Sequence, residues 1–233
     1  MSEGRGNQTS DILPVTRSKG EAKRFYDRVS GIYDHLSGRF EHRFTERAVE
    51  LLTLSDGESV LELGFGTGRG LVEVAGMVGD EVEILGVDLS TGMIRKSLER
   101  LRKTGDLRRV SLCCSDALNL PYRGGVFDAV FMAFTLELFD TPEIPIVLRE
   151  VWKVLRPGGR LGAASLSKGD GGSLSVRIYE WGHRRWPTYL DCRPIFLEGS
   201  MIRAGFEVEN TETLSMVGLP VEVVVGVNLA ACR

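Results

Sequence analysis

The chain has 233 residues, of which 42% are apolar, enough for one α/β domain with a cap over its core. A net charge of −3 argues against a dedicated nucleic-acid binder, which carries a strong basic excess. The four cysteines, Cys113, Cys114, Cys192 and Cys232, form no C-x-x-C pair, so no metal site is expected.

The opening MSEGRGNQTSD is polar and has no apolar leader, and no stretch is apolar enough to span a bilayer. A cytoplasmic protein is expected, with peripheral membrane contact left open. Residues 1–18 read as a flexible tail whose removal would leave ligand affinity unchanged. In residues 19–56, Phe25, Val29, Ile32, Tyr33 and Leu36 recur at helical spacing, and Phe40, Phe44, Ala48, Leu51 and Leu52 form a second stripe. Gly31 and Gly38 punctuate this helical cap.

From residue 57 the pattern alternates. Strand-like runs appear at SVLELG (59–64), EILGVDLS (83–90), VSLCCSD (110–116), FDAVFMAF (127–134) and GRLGAASL (159–166). Amphipathic helical segments fall at 70–78, 91–103 and 144–155. This alternation predicts an α/β fold, a parallel sheet with helices on both faces. Residues 57–167 form its core. The adjacent Cys113 and Cys114 read as small core residues. Residues 168–194, rich in glycine and aromatics, read as an insertion after the fifth strand. A helix (195–204) and two strands (206–211 and 221–229) close the chain, so residues 19–233 make one domain.

The loop after the first strand, LELGFGTGRG, holds four glycines in seven positions. A dinucleotide fingerprint needs glycines at 64, 66 and 69, and position 69 is Arg, so the fingerprint fails. The spacing is instead Glu62-x-Gly64-x-Gly66-x-Gly68. The glycines let backbone approach a ligand closely, while Glu62 suits a positive ligand end and repels phosphate. Asp88, at the end of the second strand, can accept from both hydroxyls of a ribose. Asp116, at the end of the third, can accept from the amine of an adenine. Three acids at successive strand ends fit an adenosine that carries an amino acid and a sulfonium.

The set LELGFGTG (61–68), GVDLS (86–90), SDAL (115–118), FDAVFMAFTLELF (127–139) and LRPGGRL (155–161) resembles the class I S-adenosylmethionine (SAM)-dependent methyltransferases. The resemblance covers about residues 22–229. The stretch RFYDRVSGIYDHL (24–36) is similar to the opening of the ubiquinone/menaquinone-biosynthesis C-methyltransferases and of related phospholipid N-methyltransferases. The resemblance implies a Rossmann-like sheet of seven strands, mostly parallel, with the last strand antiparallel beside the fifth. It implies SAM as cofactor and S-adenosyl-L-homocysteine as product. By the same resemblance Glu62, Gly64, Phe65, Gly66, Thr67 and Gly68 hold the methionine end. Asp88 holds the ribose, Leu89 and Met93 lie under the adenine, and Asp116 and Ala117 fix its edge. Phe134 and Thr135 line the cofactor near its methyl, and Tyr26 and Tyr33 close over it from the cap.

Methyl transfer is an in-line displacement for which alignment and water exclusion matter most. A base is needed only where the acceptor loses a proton, as a quinol methylated on carbon does. His35 and His183 are the candidate bases, and His42 reads as solvent-facing. Glu137 reads either as part of the acceptor pocket or as a helix-start carboxylate. His183-Arg184-Arg185-Trp186 pairs basic with aromatic residues, which suits a lipid headgroup or an anionic acceptor. Arg193 is a further candidate for an acidic group on the acceptor. The expected partner is a small-molecule or lipid-like methyl acceptor, a prenylated quinol foremost and a phospholipid headgroup the alternative. The sequence leaves the oligomeric state open.

Overall fold

A computed structural model describes residues 12–15, 17–29, 38–169, 173–185 and 192–229. Seven strands are present: β1 (Ser59–Leu63), β2 (Glu83–Asp88), β3 (Val110–Cys114), β4 (Phe127–Ala133), β5 (Leu155–Leu166), β6 (Glu207–Met216) and β7 (Leu219–Val227). They form one sheet in the order β3-β2-β1-β4-β5-β7-β6. The first five strands are parallel, and β7 pairs antiparallel with both β5 and β6. Among the described residues the helices are α1 (Lys19–Val29), α2 (Gly38–Leu52), α3 (Arg69–Met77), α4 (Thr91–Thr104), α5 (Ile144–Val154), α6 (Leu174–Arg185) and α7 (Leu197–Arg203).

The near-continuous apolar runs of β1 and β4 reflect burial on both faces. Alternate residues face opposite layers. Leu61, Leu63, Val130 and Met132 pack with Val147, Leu148 and Val151 of α5 on one side. Val60, Ala129 and Phe131 pack with Phe44, Ala48 and Leu52 of α2 and Leu71 and Val74 of α3 on the other. Leu52 sits so close to β5 that a side chain at Gly162 would meet it at 2.8 Å. The second half of the cap is therefore fixed to the sheet.

The first half of the cap is held by charge. Asp27 of α1 accepts from the Gly92 N–H (2.8 Å) and the Ser90 hydroxyl (2.7 Å) at the start of α4. A carboxylate at a helix N-terminus meets unpaired N–H groups and the positive end of the dipole. Burial opposes the charge, but Lys23, Ser90 and Gly92 together hold this carboxyl well below the usual range.

Four of the sequence expectations differ from what the structure shows. Residues 12–15 pack on the fold: Ile12 is buried, and the Leu13 carbonyl accepts from Arg193 at 2.6 Å. Arg193 has no exposed surface and also donates to the carbonyls of Glu137 and Phe139 and to the Thr141 hydroxyl. It pins the loop after β4 from within the fold. Cys113 is only half-buried and Cys114 is exposed, because β3 is an edge strand. The insertion carries helix α6 where no helix was expected.

Candidate functional site

The strand order reverses between β1 and β4, and open α/β sheets bind ligands in the crevice outside the strands' carboxyl ends at such a point. A cleft of about 470 Å³ lies there. Tyr26, Glu62, Gly64, Phe65, Gly66 and Thr67 line it, as do Asp88, Leu89, Met93, Asp116, Ala117, Phe134 and Thr135. These thirteen are thus brought together from α1, β1, β2, the first turn of α4 and the loops that follow β1 to β4. Tyr33 and His35 lie outside the described residues.

The glycines of the loop serve different ends. Gly64 has φ +69°, and a side chain there would meet Thr135 Cγ2 at 2.4 Å. Gly66 has φ +52° with open space where a side chain would project, so its backbone forms a cradle. Gly68 does not line the cleft. A side chain there would strike Ser97 of α4 at 2.1 Å, so this glycine lets α3 and α4 pack closely.

Glu62 is buried, its Oε2 has no hydrogen-bond partner, and it borders the cleft. Burial, reinforced by the charges of Glu73 and Asp88, pushes its carboxyl well above the ordinary range. A buried carboxylate with an orphan oxygen calls for a positive donor in the cleft. Asp88 accepts from the Gly66 N–H (2.9 Å) and the Ser90 N–H (2.8 Å). Its carboxyl is raised to about 6 by burial, against the pull of those two bonds. Each of its oxygens keeps a further lone pair for a hydroxyl donor. Asp116 is tied to the cap, accepting from Lys19 Nζ at 2.8 Å, and the same ammonium lies 3.4 Å from Glu143. Phe134 stands at φ +50°, uncommon for a residue with a side chain, and its ring meets Phe44 of α2 edge-on at 5.8 Å.

His183 is buried in α6 and does not border the cleft. His42, read from sequence as solvent-facing, does border it while staying half-exposed. Its Nδ1 meets Glu73 Oε1 of α3 at 2.7 Å. Burial pushes the Glu73 carboxyl up against the lowering pull of His42. The spacing held a signal, since His42, Thr45 and Val49 recur at i, i+3 and i+7, and the latter two are buried. Lys19 and Asp27 gave no such signal, because their partners are distant in sequence. Glu137 does not line the cleft; it stands in the first turn of a short 3-10 helix, near the helix-start reading, but fully buried, and accepts from the Leu166 N–H at 3.2 Å.

Residues 60–159 match the profile of the family described as "Methyltransferase domain". The chain is 28% identical over 159 residues to demethylmenaquinone methyltransferase of Listeria welshimeri, covering 66% of each chain. It is 32% identical over 139 residues to 2-phytyl-1,4-naphtoquinone methyltransferase of Synechococcus elongatus, covering 58% of this chain and 59% of that one. Matched regions thus span about two thirds or less of these relatives. Among solved structures, the (4+2)-cyclase SpnF superposes with a TM-score of 0.73 at 20% identity, over 92% of this chain and 98% of that one. That likeness concerns the fold alone.

Proposed function

We propose that this chain, whose residues 60–159 match the methyltransferase-domain profile, is a class I SAM-dependent methyltransferase acting on the carbon of a prenylated naphthoquinol. The observation that carries the cofactor assignment is the buried Glu62 carboxylate, with an orphan oxygen beside a glycine cradle at the cleft. Bound SAM supplies an electrophilic methyl and presents an ammonium, a ribose diol and an adenine. Glu62 fits the ammonium and Asp88 the diol. Asp116 fits the amine of the adenine, a role for which it would exchange the Lys19 ammonium it now accepts from. Two relatives whose names specify quinone or naphthoquinone chemistry support the acceptor class.

A quinol whose hydroxyl has given up a proton would attack the methyl through a ring carbon; the methyl–sulfur bond would break to leave S-adenosyl-L-homocysteine, and the proton on that carbon would be lost as the ring regains aromaticity. Among the described residues His42 is the histidine that borders the cleft, and Glu73 on its Nδ1 leaves Nε2 to take the hydroxyl proton. Phe134, Phe139 and Leu138 line the same cleft with apolar surface suited to a naphthalene ring. An acceptor with a prenyl tail resides in a bilayer, so the protein works at a membrane surface.

The test is incubation of the pure protein with methyl-labelled SAM, a reduced short-chain demethylmenaquinone and, separately, phosphatidylethanolamine. Label is expected in the naphthoquinol. Label only in phosphatidylethanolamine would overturn the acceptor, and no calorimetric binding of SAM would overturn the enzyme class. His42→Gln should cut turnover roughly a hundredfold at neutral pH and leave SAM affinity within a few-fold.

A further inference from the structure

Helix α6 presents two contrasting faces. Val176, Glu180 and His183 are turned inward. Glu180, the only acid on the helix, is paired with the buried Lys168 just past β5. The outward face carries Leu174, Ile178 and Trp181, exposed at 70%, 59% and 62%. Their spacing of i, i+4 and i+7 places them in one ridge. Arg177, Arg184 and Arg185 are exposed alongside it. The outer surface of this helix is thus apolar and cationic, on a chain whose net charge is −3.

We infer that the Leu174–Ile178–Trp181 ridge, with its flanking arginines, seats the protein on an anionic lipid bilayer. Three large apolar side chains left in water cost free energy that insertion among acyl chains recovers. Trp at such a boundary buries its ring and keeps its N–H wet. Arginines beside the ridge are drawn to anionic headgroups, and the inward pairing of Glu180 takes the helix's own acid off its outer surface. The position fits as well. Strand β5 runs parallel to β1 and β4, and α6 follows its carboxyl end, so the ridge lies at the same end of the sheet as the cleft. This inference rests on the reading of a lipid-borne acceptor, and it names the surface that brings the cleft to that lipid.

The experiment is flotation of the full chain with vesicles of phosphatidylcholine alone and of phosphatidylcholine with phosphatidylglycerol. Binding to the anionic vesicles is expected, weakening as salt rises. Arg184→Gln with Arg185→Gln should lower partitioning roughly thirtyfold, from the attraction each arginine contributes at an anionic surface. Ile178→Ser with Trp181→Ser should lower it at least as much. Both double variants should keep wild-type SAM affinity and wild-type turnover of a water-soluble short-chain acceptor, which shows that they fold. Failure to bind anionic vesicles, or equal partitioning of wild type and variants, would overturn the inference. So would variants that convert a dimer to a monomer in sedimentation with vesicle binding intact, since the ridge would then join two copies. Absence of SAM binding would instead overturn the enzyme class and leave the vesicle result standing.

Discussion

Glu137 gives the sharpest test of the energetics. It is fully buried, one oxygen accepts from the Leu166 N–H, and the other has no partner. Burial raises its carboxyl from 4.5 to about 8. A folded-state value above the unfolded one means that the unfolded chain ionises first as pH rises. The stability contribution is therefore complete below about 4.5 and is lost progressively up to about 8. At 1.36 kcal/mol per pH unit the whole loss is about 5 kcal/mol, of which about 3 kcal/mol has gone by pH 7. Glu137→Gln keeps an acceptor for Leu166 and cannot ionise. Its advantage over wild type should be near zero at pH 4.5, where both side chains are neutral, and should grow to about 3 kcal/mol at pH 7. For a chain of this size that is a rise in Tm of about 10 °C. Urea unfolding at a series of pH values measures the difference directly. A difference that stays constant from pH 4.5 to 8 would refute the reasoning, because the carboxyl would then titrate alike in both states.

Other substitutions address the cleft. Asp88→Asn should weaken SAM binding by roughly ten- to a hundredfold by calorimetry, the worth of hydrogen bonds to a charged acceptor, with the far-UV spectrum unchanged. Gly64→Ala forces a side chain into the left-handed region and onto Thr135, and should cost about 2 kcal/mol or more in unfolding experiments. Adding Thr135→Ala should recover part of that loss by removing the clash and leaving the backbone strain. Deleting residues 1–18 removes the Leu13 carbonyl from Arg193 and takes Val15, Arg17 and Ser18 out of the cleft wall. SAM affinity should fall about tenfold, and unchanged affinity would restore the flexible-tail reading for residues 12–18.

The sheet was legible because its strands announce themselves. β1, β2 and β4 are apolar runs bounded by glycine or by acids, and Asp88 falls at the end of β2 as its position in GVDLS indicated. The glycine-loop spacing was legible too, since failure of the GxGxxG test turned on one residue, Arg69. What periodicity could not show were contacts made across long loops. Asp27 reaches α4 from 65 residues away and Lys19 reaches Asp116 from 97, and no local pattern encodes either. α6 was hidden for another reason. Its apolar ridge of Leu174, Ile178 and Trp181 faces outward while Glu180 and His183 are turned inward, so the apolar-inside pattern that marks a surface helix is missing. Arg193 misled because arginine is seldom buried, and its role as a backbone staple depends on carbonyls contributed by residues 13, 137 and 139.

The acids at the carboxyl end of the sheet connect stability to ligand choice. Burial raises the carboxyls of Glu62, Glu73 and Asp88, and Glu62 lies within the electrostatic reach of the other two. A fold selected only for stability would place neutral side chains there, because an uncompensated buried carboxylate is expensive. A cationic ligand lowers that cost when it enters, so the instability of the empty cleft becomes affinity for positive charge. A ligand with both an ammonium and a sulfonium gains more from these acids than one that keeps only the ammonium. On the proposed function, the same carboxylates that weaken the empty protein would favour SAM over S-adenosyl-L-homocysteine, and product release would be assisted by the charge that the transfer consumes.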